Sequence, residues 1–547
     1  MKTPPAFDKA AAPALLIIGV ALRLRQYLMG RSLWADEAML ALNIVNRNFA
    51  GLLQPLDYNQ GAPLGFLLIE KFFNAILGRH ELVLRLFPFL AGIVSLWLFY
   101  LLIKQITQNA GLFIALTLFA VNPQLIYYSS ESKQYIVDVA VALALLILAL
   151  PVLQHQARQR DYMLLGMAGI FALWLSHPAL FVSAGIGAAL IIQRLQKRDA
   201  VNVKSTIVMG VAWLMNFILL YFINLRQLSG NSFLTGYWAG AFMPMPPNLN
   251  WFAAYVSESL RLQFGMEGAP WLAAILILIG WFALYRETRP LALTFAFITL
   301  FAFAASALQL YPIKGRLALF MIPIGIILLG KALELTQKTF AAAESLTHFL
   351  EGRRKTQKDA DLFNHSAEKS EKLSVSQRSS ASISESARLS IAPGRFANAI
   401  IALALGGYLI YSPFVASAKN FISPKYFEHL RPYMDYLSAS WKDGDALFVS
   451  YWAEPAFKYY APFYKLENIR YESSKYEDYP DPQKLAARFD PLIGKKRAWV
   501  LFSHVYENEN FNERDFVVAY LDQIGEQRRE LRIPDTSVFL FLYDLNK

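Results

Sequence analysis

The sequence has no cysteine among its 547 residues. Disulfides, thiolate metal sites and cysteine nucleophiles are therefore excluded. Histidine is scarce, at seven residues. His80 and His177 stand alone, and no His-x-x-His or His–carboxylate spacing recurs, so no protein-encoded metal site is expected. Charged residues make up only 17% of the chain, which excludes a highly charged disordered protein as a description of the whole. An internal repeat is also lacking, and with it the duplicated halves common in transporters. The first apolar run, Ala10–Leu22, has no convincing small-residue cleavage site and is read as a retained membrane span.

What is abundant is apolar sequence, at 55% hydrophobic against about 45–50% for a soluble domain. It is gathered into runs such as Leu82–Ile103, Leu112–Tyr128, Ile136–Leu153, Ser205–Ile223 and Trp271–Tyr285. Runs approaching about 20 residues suit a helix crossing a bilayer, and one buried core helix cannot account for so many. The net charge of +11 resides in short loops between these runs, so it points to membrane topology and not to nucleic acid. Placing Lys104, Arg158, Arg160, Arg194, Lys197, Arg286 and the segment 331–395 on the cytoplasmic side predicts about eleven spans by the positive-inside rule. They fall near 10–28, 82–103, 110–128, 134–153, 162–176, 178–193, 205–225, 268–285, 290–308, 312–330 and 396–415. The N-terminus is then cytoplasmic and the C-terminus extracytoplasmic, in a multi-pass inner (plasma) membrane protein. The expected organisation is a mainly α transmembrane unit over 1–415 and a small extracytoplasmic α/β domain over 416–547. Within the first unit, 29–81 is an outward loop with interfacial helices, and 340–395 is a Ser-, Lys- and Glu-rich loop expected to be disordered. In the α/β domain, Ala446–Tyr451, Ala498–Ser503 and Ser537–Tyr543 read as strands, and Pro455–Tyr460 and Arg514–Arg529 as helices.

An acid pair, Asp36 and Glu37, follows the first span in the stretch Arg31–Ala38. Carboxylates at a bilayer boundary are costly and mark functional sites; equally, acids favour the first turn of a helix. Further polar motifs lie on the same outward side. They are Gln60-Gly-Ala-Pro-Leu-Gly-Phe66, the stretch Gly78–Gly92 containing Arg85, the loop Tyr127–Tyr135 containing Tyr128 and Glu131, and Leu310–Arg316 containing Lys314. Arg85 reads as a phosphate ligand or as a snorkelling helix-end residue. Glu131 reads as a site acid or as a helix-start acid. Lys314 and Arg316 sit on the sparsely basic side, where the topology rule does not require them. Lys133 and Tyr135 share the loop of Glu131 without a signal of their own. The many Trp and Tyr residues, Trp238 among them, suit an interfacial belt.

This ordered set resembles the bacterial GT-C membrane glycosyltransferases of the protein O-mannosyltransferase and aminoarabinose transferase type. The resemblance rests on Trp34-Ala-Asp-Glu37 after the first span, the Pro-Leu-Gly helix, the Gly…Glu…Arg85…Gly92 pattern and the Tyr-Ser-x-Glu loop at Tyr128–Glu131. It implies a GT-C fold and a polyprenyl-phosphate-linked (undecaprenyl-type) sugar donor. It also implies a glycan, lipid or protein acceptor outside the membrane, and inverting transfer. By the resemblance Asp36 is the general base and Glu37 its assistant. Arg85, and next Lys314 and Arg316, would stabilise the departing lipid phosphate. Glu131 and Tyr128 would contribute to substrate binding. A divalent ion is used by some related enzymes. The competing readings are a transporter or flippase of lipid-linked glycans and a glycan polymerase.

Overall fold

A computed structural model describes residues 10–154, 157–268, 270–336, 393–424, 426–479, 481–508 and 511–546. The expected disordered loop at 340–395 lies almost wholly outside these residues.

Seven described helices are long and apolar enough to cross a membrane: Leu86–Ile106, Tyr135–Leu153, Ala179–Gln196, Ala200–Leu225, Pro270–Glu287, Arg289–Ala307 and Gly315–Thr336. The spans expected at 10–28, 110–128, 162–176 and 396–415 are helical too, as Ala12–Leu28, Asn109–Val121, Gln159–Leu175 and Pro393–Ile422. The spans expected to end at 330 and 415 run on to Thr336 and Ile422, and the one expected to start at 205 starts at Ala200; two further differences have a local cause. The run through Tyr128 breaks at Asn122, whose side chain caps a separate short helix over Pro123–Tyr128, because Pro123 has no N–H to continue the first one. The span expected to start at residue 82 starts instead at Leu86, after a kink in which Arg85 ends the short helix Glu81–Leu84.

Three elements matter for the site. Helix α1 (Ala12–Leu28) ends at Met29, and Gly30 at φ +52° turns the chain, a conformation that glycine adopts without strain. The chain then runs extended into α2 (Ala35–Asn46), whose first turn carries Asp36 and Glu37. Helix α3 (Leu64–Leu77) follows Pro63 and stops at Gly78. Within α1, the fully buried Arg23 donates to the carbonyls of Gly19, Ala120 and Phe119 at 3.0, 3.2 and 3.4 Å. It thereby supplies positive charge to the carboxyl end of Asn109–Val121, where free carbonyls favour a cation.

Glycines let the helices cross closely. A methyl group on Gly280 would lie 1.8 Å from the Leu328 carbonyl oxygen, and one on Gly111 would lie 2.3 Å from that of Gly330. Such small-residue crossings replace the hydrophobic driving force that lipid removes. At the end of the bundle opposite the site, Lys331 bonds Glu287, Glu334 and the Ile106 carbonyl, joining three helices.

The C-terminal region contains a five-stranded mixed sheet: β1 (Ala446–Val449), β2 (Glu472–Ser473), β3 (Ala498–Phe502), β4 (Glu526–Leu531) and β5 (Phe539–Asp544), in the order β2-β1-β3-β5-β4. β1 pairs in parallel with β2 and β3, whereas β5 pairs antiparallel with β3 and β4. Alternation divides the strands between two layers. Phe448, Val500 and Phe541 pack against Val517 and Leu521 of the helix Glu513–Ile524. Leu447, Trp499 and Leu540 belong to the core that is continuous with the membrane helices. The helix expected over 514–529 stops at Ile524, because Gly525 is extended and the next residues form the exposed edge strand β4. The charged sequence Glu526–Arg529 suits an edge, where charge deters further pairing.

Gly280→Ala is expected to destabilise the protein by about 1–3 kcal/mol through overpacking against backbone. Gly187→Ala, where a methyl group meets nothing within 4 Å, should leave stability unchanged. Thermal unfolding in detergent distinguishes the two.

Candidate active site

Asp36 and Glu37 are neighbours on one helix, so their side chains diverge by about 100°. Glu37 points inward and is fully buried. Arg85 clamps it through Nε to Oε1 at 2.9 Å and Nη2 to Oε2 at 2.6 Å. The same guanidinium donates to the carbonyls of Arg31 and Ser32 at 2.6 and 3.3 Å. Glu37 Oε1 also accepts the Ser132 N–H at 2.7 Å. Three segments, 31–37, 85 and 132, are thus tied by one ion pair. Arg85 is buried and lines none of the cavities described below.

Asp36 faces a cavity of about 340 Å³ whose wall is mostly apolar. Its Oδ1 lies 3.0 Å from Lys133 Nζ and its Oδ2 lies 2.8 Å from Arg316 Nη2. Lys133 in turn donates to Gln60 Oε1 at 2.6 Å. Burial would raise the Asp36 carboxyl, but the charges of Arg316 and Lys133 outweigh it and hold the group below its ordinary range. The Arg316 guanidinium lies among three rings, 5.2 Å from Trp34, 5.4 Å from Tyr135 and 5.7 Å from Trp238, where cation–π attraction orients it. Asp138 and His177 line the same cavity. Burial lowers His177 to about 4, so it is neutral at ordinary pH.

Glu131 is buried behind this face, with Arg31 at 4.0 Å and no hydrogen-bond partner for either oxygen among the described residues. Burial, helped by the Glu37 carboxylate, pushes it up to about 7. Arg31 itself donates to the Ser130 carbonyl and stacks over Tyr127 at 4.0 Å. Tyr128 packs edge-on to Tyr127 and Tyr135 and supports the wall from behind. Lys314 is half exposed and pairs with Glu258 at 3.1 Å, away from Asp36.

The structure therefore brings together Asp36, Lys133 and Arg316, with Glu37 and Glu131 behind them, and separates Arg85 and Lys314 from the cavity. Sequence reasoning gave Gln60 and Trp238 no individual role and Lys133 no signal of its own, although all three line the cavity. Gln60 heads the Pro-Leu-Gly motif and Lys133 shares the Glu131 loop, so both were within reach. Trp238 was indistinguishable from a membrane-interface aromatic. Asp36 and Glu37 are already engaged by guanidinium and ammonium groups. Among the described residues no group of three or more ligand-type side chains could hold a metal ion.

Removing either partner of the Glu37–Arg85 pair strands a buried charge and should cost about 3–5 kcal/mol. Glu37→Leu combined with Arg85→Met should recover much of that loss, as a double-mutant cycle by thermal unfolding would measure. Glu131 generates a second prediction. Its folded-state value lies above the ordinary 4.5, so between those two values the folded state holds a proton that the unfolded state has lost. Stability should therefore fall as pH rises from about 4.5 to about 7 and then level off. Glu131→Gln should remove this dependence and raise the melting temperature more at pH 8 than at pH 5.

Residues 61–225 match the family described as dolichyl-phosphate-mannose-protein mannosyltransferase. The matched segment contains Arg85, Glu131 and Lys133 but neither Asp36 nor Arg316. A comparison with curated proteins finds no match. Among solved structures, the chain is similar to ArnT from Cupriavidus metallidurans in the apo state, with a TM-score of 0.51 at 14% identity, covering 97% of this chain and 98% of that one. The same protein bound to undecaprenyl phosphate aligns with a TM-score of 0.50 at 14% identity, over 96% and 97% of the two chains. The Archaeoglobus fulgidus oligosaccharyltransferase in its apo form aligns with a TM-score of 0.49 at 11% identity, over 91% of this chain and 70% of that one. Residues 61–225 thus match a mannosyltransferase family model, and the chain as a whole has a multi-pass helical fold similar to that of ArnT.

Proposed function

We propose that the protein transfers a sugar from a polyprenyl-phosphate donor to an acceptor on the extracytoplasmic side of the membrane, with inversion, using Asp36 as general base. The observation that carries this reading is the position of Asp36. It stands between two cations at the edge of a mostly apolar cavity that a lipid-linked substrate suits. The undecaprenyl phosphate held by the similar ArnT structure supports the donor class.

The acceptor hydroxyl oxygen attacks the anomeric carbon and forms the new glycosidic bond. The bond from that carbon to the phosphate oxygen breaks, its electron pair leaves with the phosphate, and the hydroxyl proton passes to Asp36. Of the three cations expected to stabilise the departing phosphate, Arg316 keeps that role and Lys133 joins it in place of Arg85 and Lys314, because Arg316 and Lys133 face the cavity and the others do not. Before the donor arrives, both cations attend Asp36 and make it a weak base. A donor phosphate competes for them, which raises the basicity of Asp36 when it is needed. Glu37 positions Asp36 through the Arg85 clamp, and Glu131 borders the site from behind. The residues over 1–415 form the membrane unit, and 416–547 an extracytoplasmic domain that helps to build the acceptor side. The absence of repeated halves and the gathering of polar groups at one face of the bundle weigh against a transporter.

Purified wild-type protein incubated with a panel of undecaprenyl-phosphate sugars should release undecaprenyl phosphate. Asp36→Asn should lower that release by about a hundredfold to ten-thousandfold while the protein stays folded. Turnover like that of the wild type would eliminate Asp36 as the base.

A further inference from the structure

Beneath the C-terminal region, a second cavity of about 70 Å³ meets the first at Asp36, Gln60, Trp238 and Arg316. Seven of its fifteen lining residues are Trp, Tyr or Phe, so ring faces dominate the wall. These rings are held by one another: Trp452 lies 5.0 Å from Tyr451, and Tyr237 lies 5.4 Å from Trp238. Besides the tyrosines, the titratable groups here are Asp36, Arg316 and His504.

His504 is fixed from behind. Its Nδ1 lies 2.8 Å from Glu428 Oε1, and its ring sits 5.5 Å from Trp452 and 6.1 Å from Trp34. Its backbone is left-handed at φ +52°, a conformation that non-glycine residues adopt sparingly and that tends to accompany function. The other oxygen of Glu428 accepts the Ala35 N–H at 2.9 Å and the Ser503 hydroxyl at 3.0 Å. One carboxylate therefore sets His504 and the start of the Asp36 helix in a common frame.

We infer that this second cavity is the acceptor subsite and that its occupant is a carbohydrate ring, with His504 bonding one hydroxyl while another is delivered to Asp36. The inference rests on the transfer reaction proposed above. The apolar C–H face of a sugar is electropositive and complements the negative faces of aromatic rings. Its hydroxyls meet Asn59, Gln60 and His504 at the edges. A peptide acceptor would want main-chain partners such as an open strand edge, and none of the lining residues lies in a strand. The arrangement favours a glycan or glycolipid over a serine or threonine side chain.

The full chain in proteoliposomes would be given whichever labelled undecaprenyl-phosphate sugar it consumes, with envelope membranes from cells that lack the chain as acceptor. Label is expected in a protease-resistant glycan or glycolipid. Trp452→Ala and His504→Gln should each raise the half-saturating amount of acceptor membranes by about three- to tenfold. The half-saturating amount of donor should not change, and Trp452→Phe should restore most of the loss. Label carried on protein that protease renders soluble would overturn the inference, as would unchanged acceptor dependence in both variants. Failure to consume any donor would instead count against the transfer reaction itself.

Discussion

The site depends on one buried ion pair. Glu37 and Arg85 are both withdrawn from water, and two such charges are tolerated only when each is fully engaged. Here the engagement is geometric. The guanidinium fork meets both carboxylate oxygens and two carbonyls of the 31–32 segment, and the remaining carboxylate capacity takes the Ser132 N–H. The pair thereby sets the spacing between the start of α2, the kink before the span Leu86–Ile106 and the turn after Tyr128. Asp36 is one residue from this anchor and Lys133 is one residue from Ser132. Their 3.0 Å contact is thus inherited from the clamp as much as from their own attraction.

That division of labour explains why an Asp-Glu pair is useful at this point. Two acids side by side on a helix face different environments. One holds the scaffold, and the other stays at the cavity edge. On the proposed reading the open site carries one carboxylate and two cations, an excess of one positive charge. A polyprenyl phosphodiester brings one negative charge, so the loaded site is balanced without titration of any group. Transfer moves one proton to Asp36 and leaves one additional charge on the phosphate, and the site as a whole stays balanced.

Much of the fold was legible because lipid imposes long apolar runs, and those runs survive as helices within a few residues of their expected ends. The misplaced boundaries at Asn122 and Arg85 are sites where a local device overrides hydropathy, a proline in one case and a buried salt bridge in the other. The end of the helix at Ile524 shows the same limit, since a periodicity reading carried it through a glycine into an edge strand. Motif order drew attention to Asp36, Glu37 and Arg316, and the fold places Asp36 and Arg316 on one cavity with Glu37 buried beside them. That Arg85 faces Glu37 could not be read from the sequence, because a helix-end arginine facing a cavity and one facing a buried glutamate look alike in one dimension. Glu428 and His504 lie about 400 residues or more from α2 along the chain, and no local pattern connects residues so far apart.

Glu428 also bears on how the chain is built. Helix α2 has no side chain of its own at its start to receive the free N–H groups, and the Ala35 N–H is satisfied by Glu428 from beyond the last membrane helix. The Leu33 N–H is likewise taken by Tyr460 at 2.8 Å, and the Gly30 carbonyl by Arg431. The membrane part thus lends out the beginning of its most important helix for completion by the tail of the chain. Such an arrangement resists modular exchange. A C-terminal region grafted from another protein must reproduce these main-chain contacts before it can contribute any specificity. During synthesis, the segment 29–46 emerges long before Glu428, Arg431 and Tyr460, so its main-chain contacts are completed late.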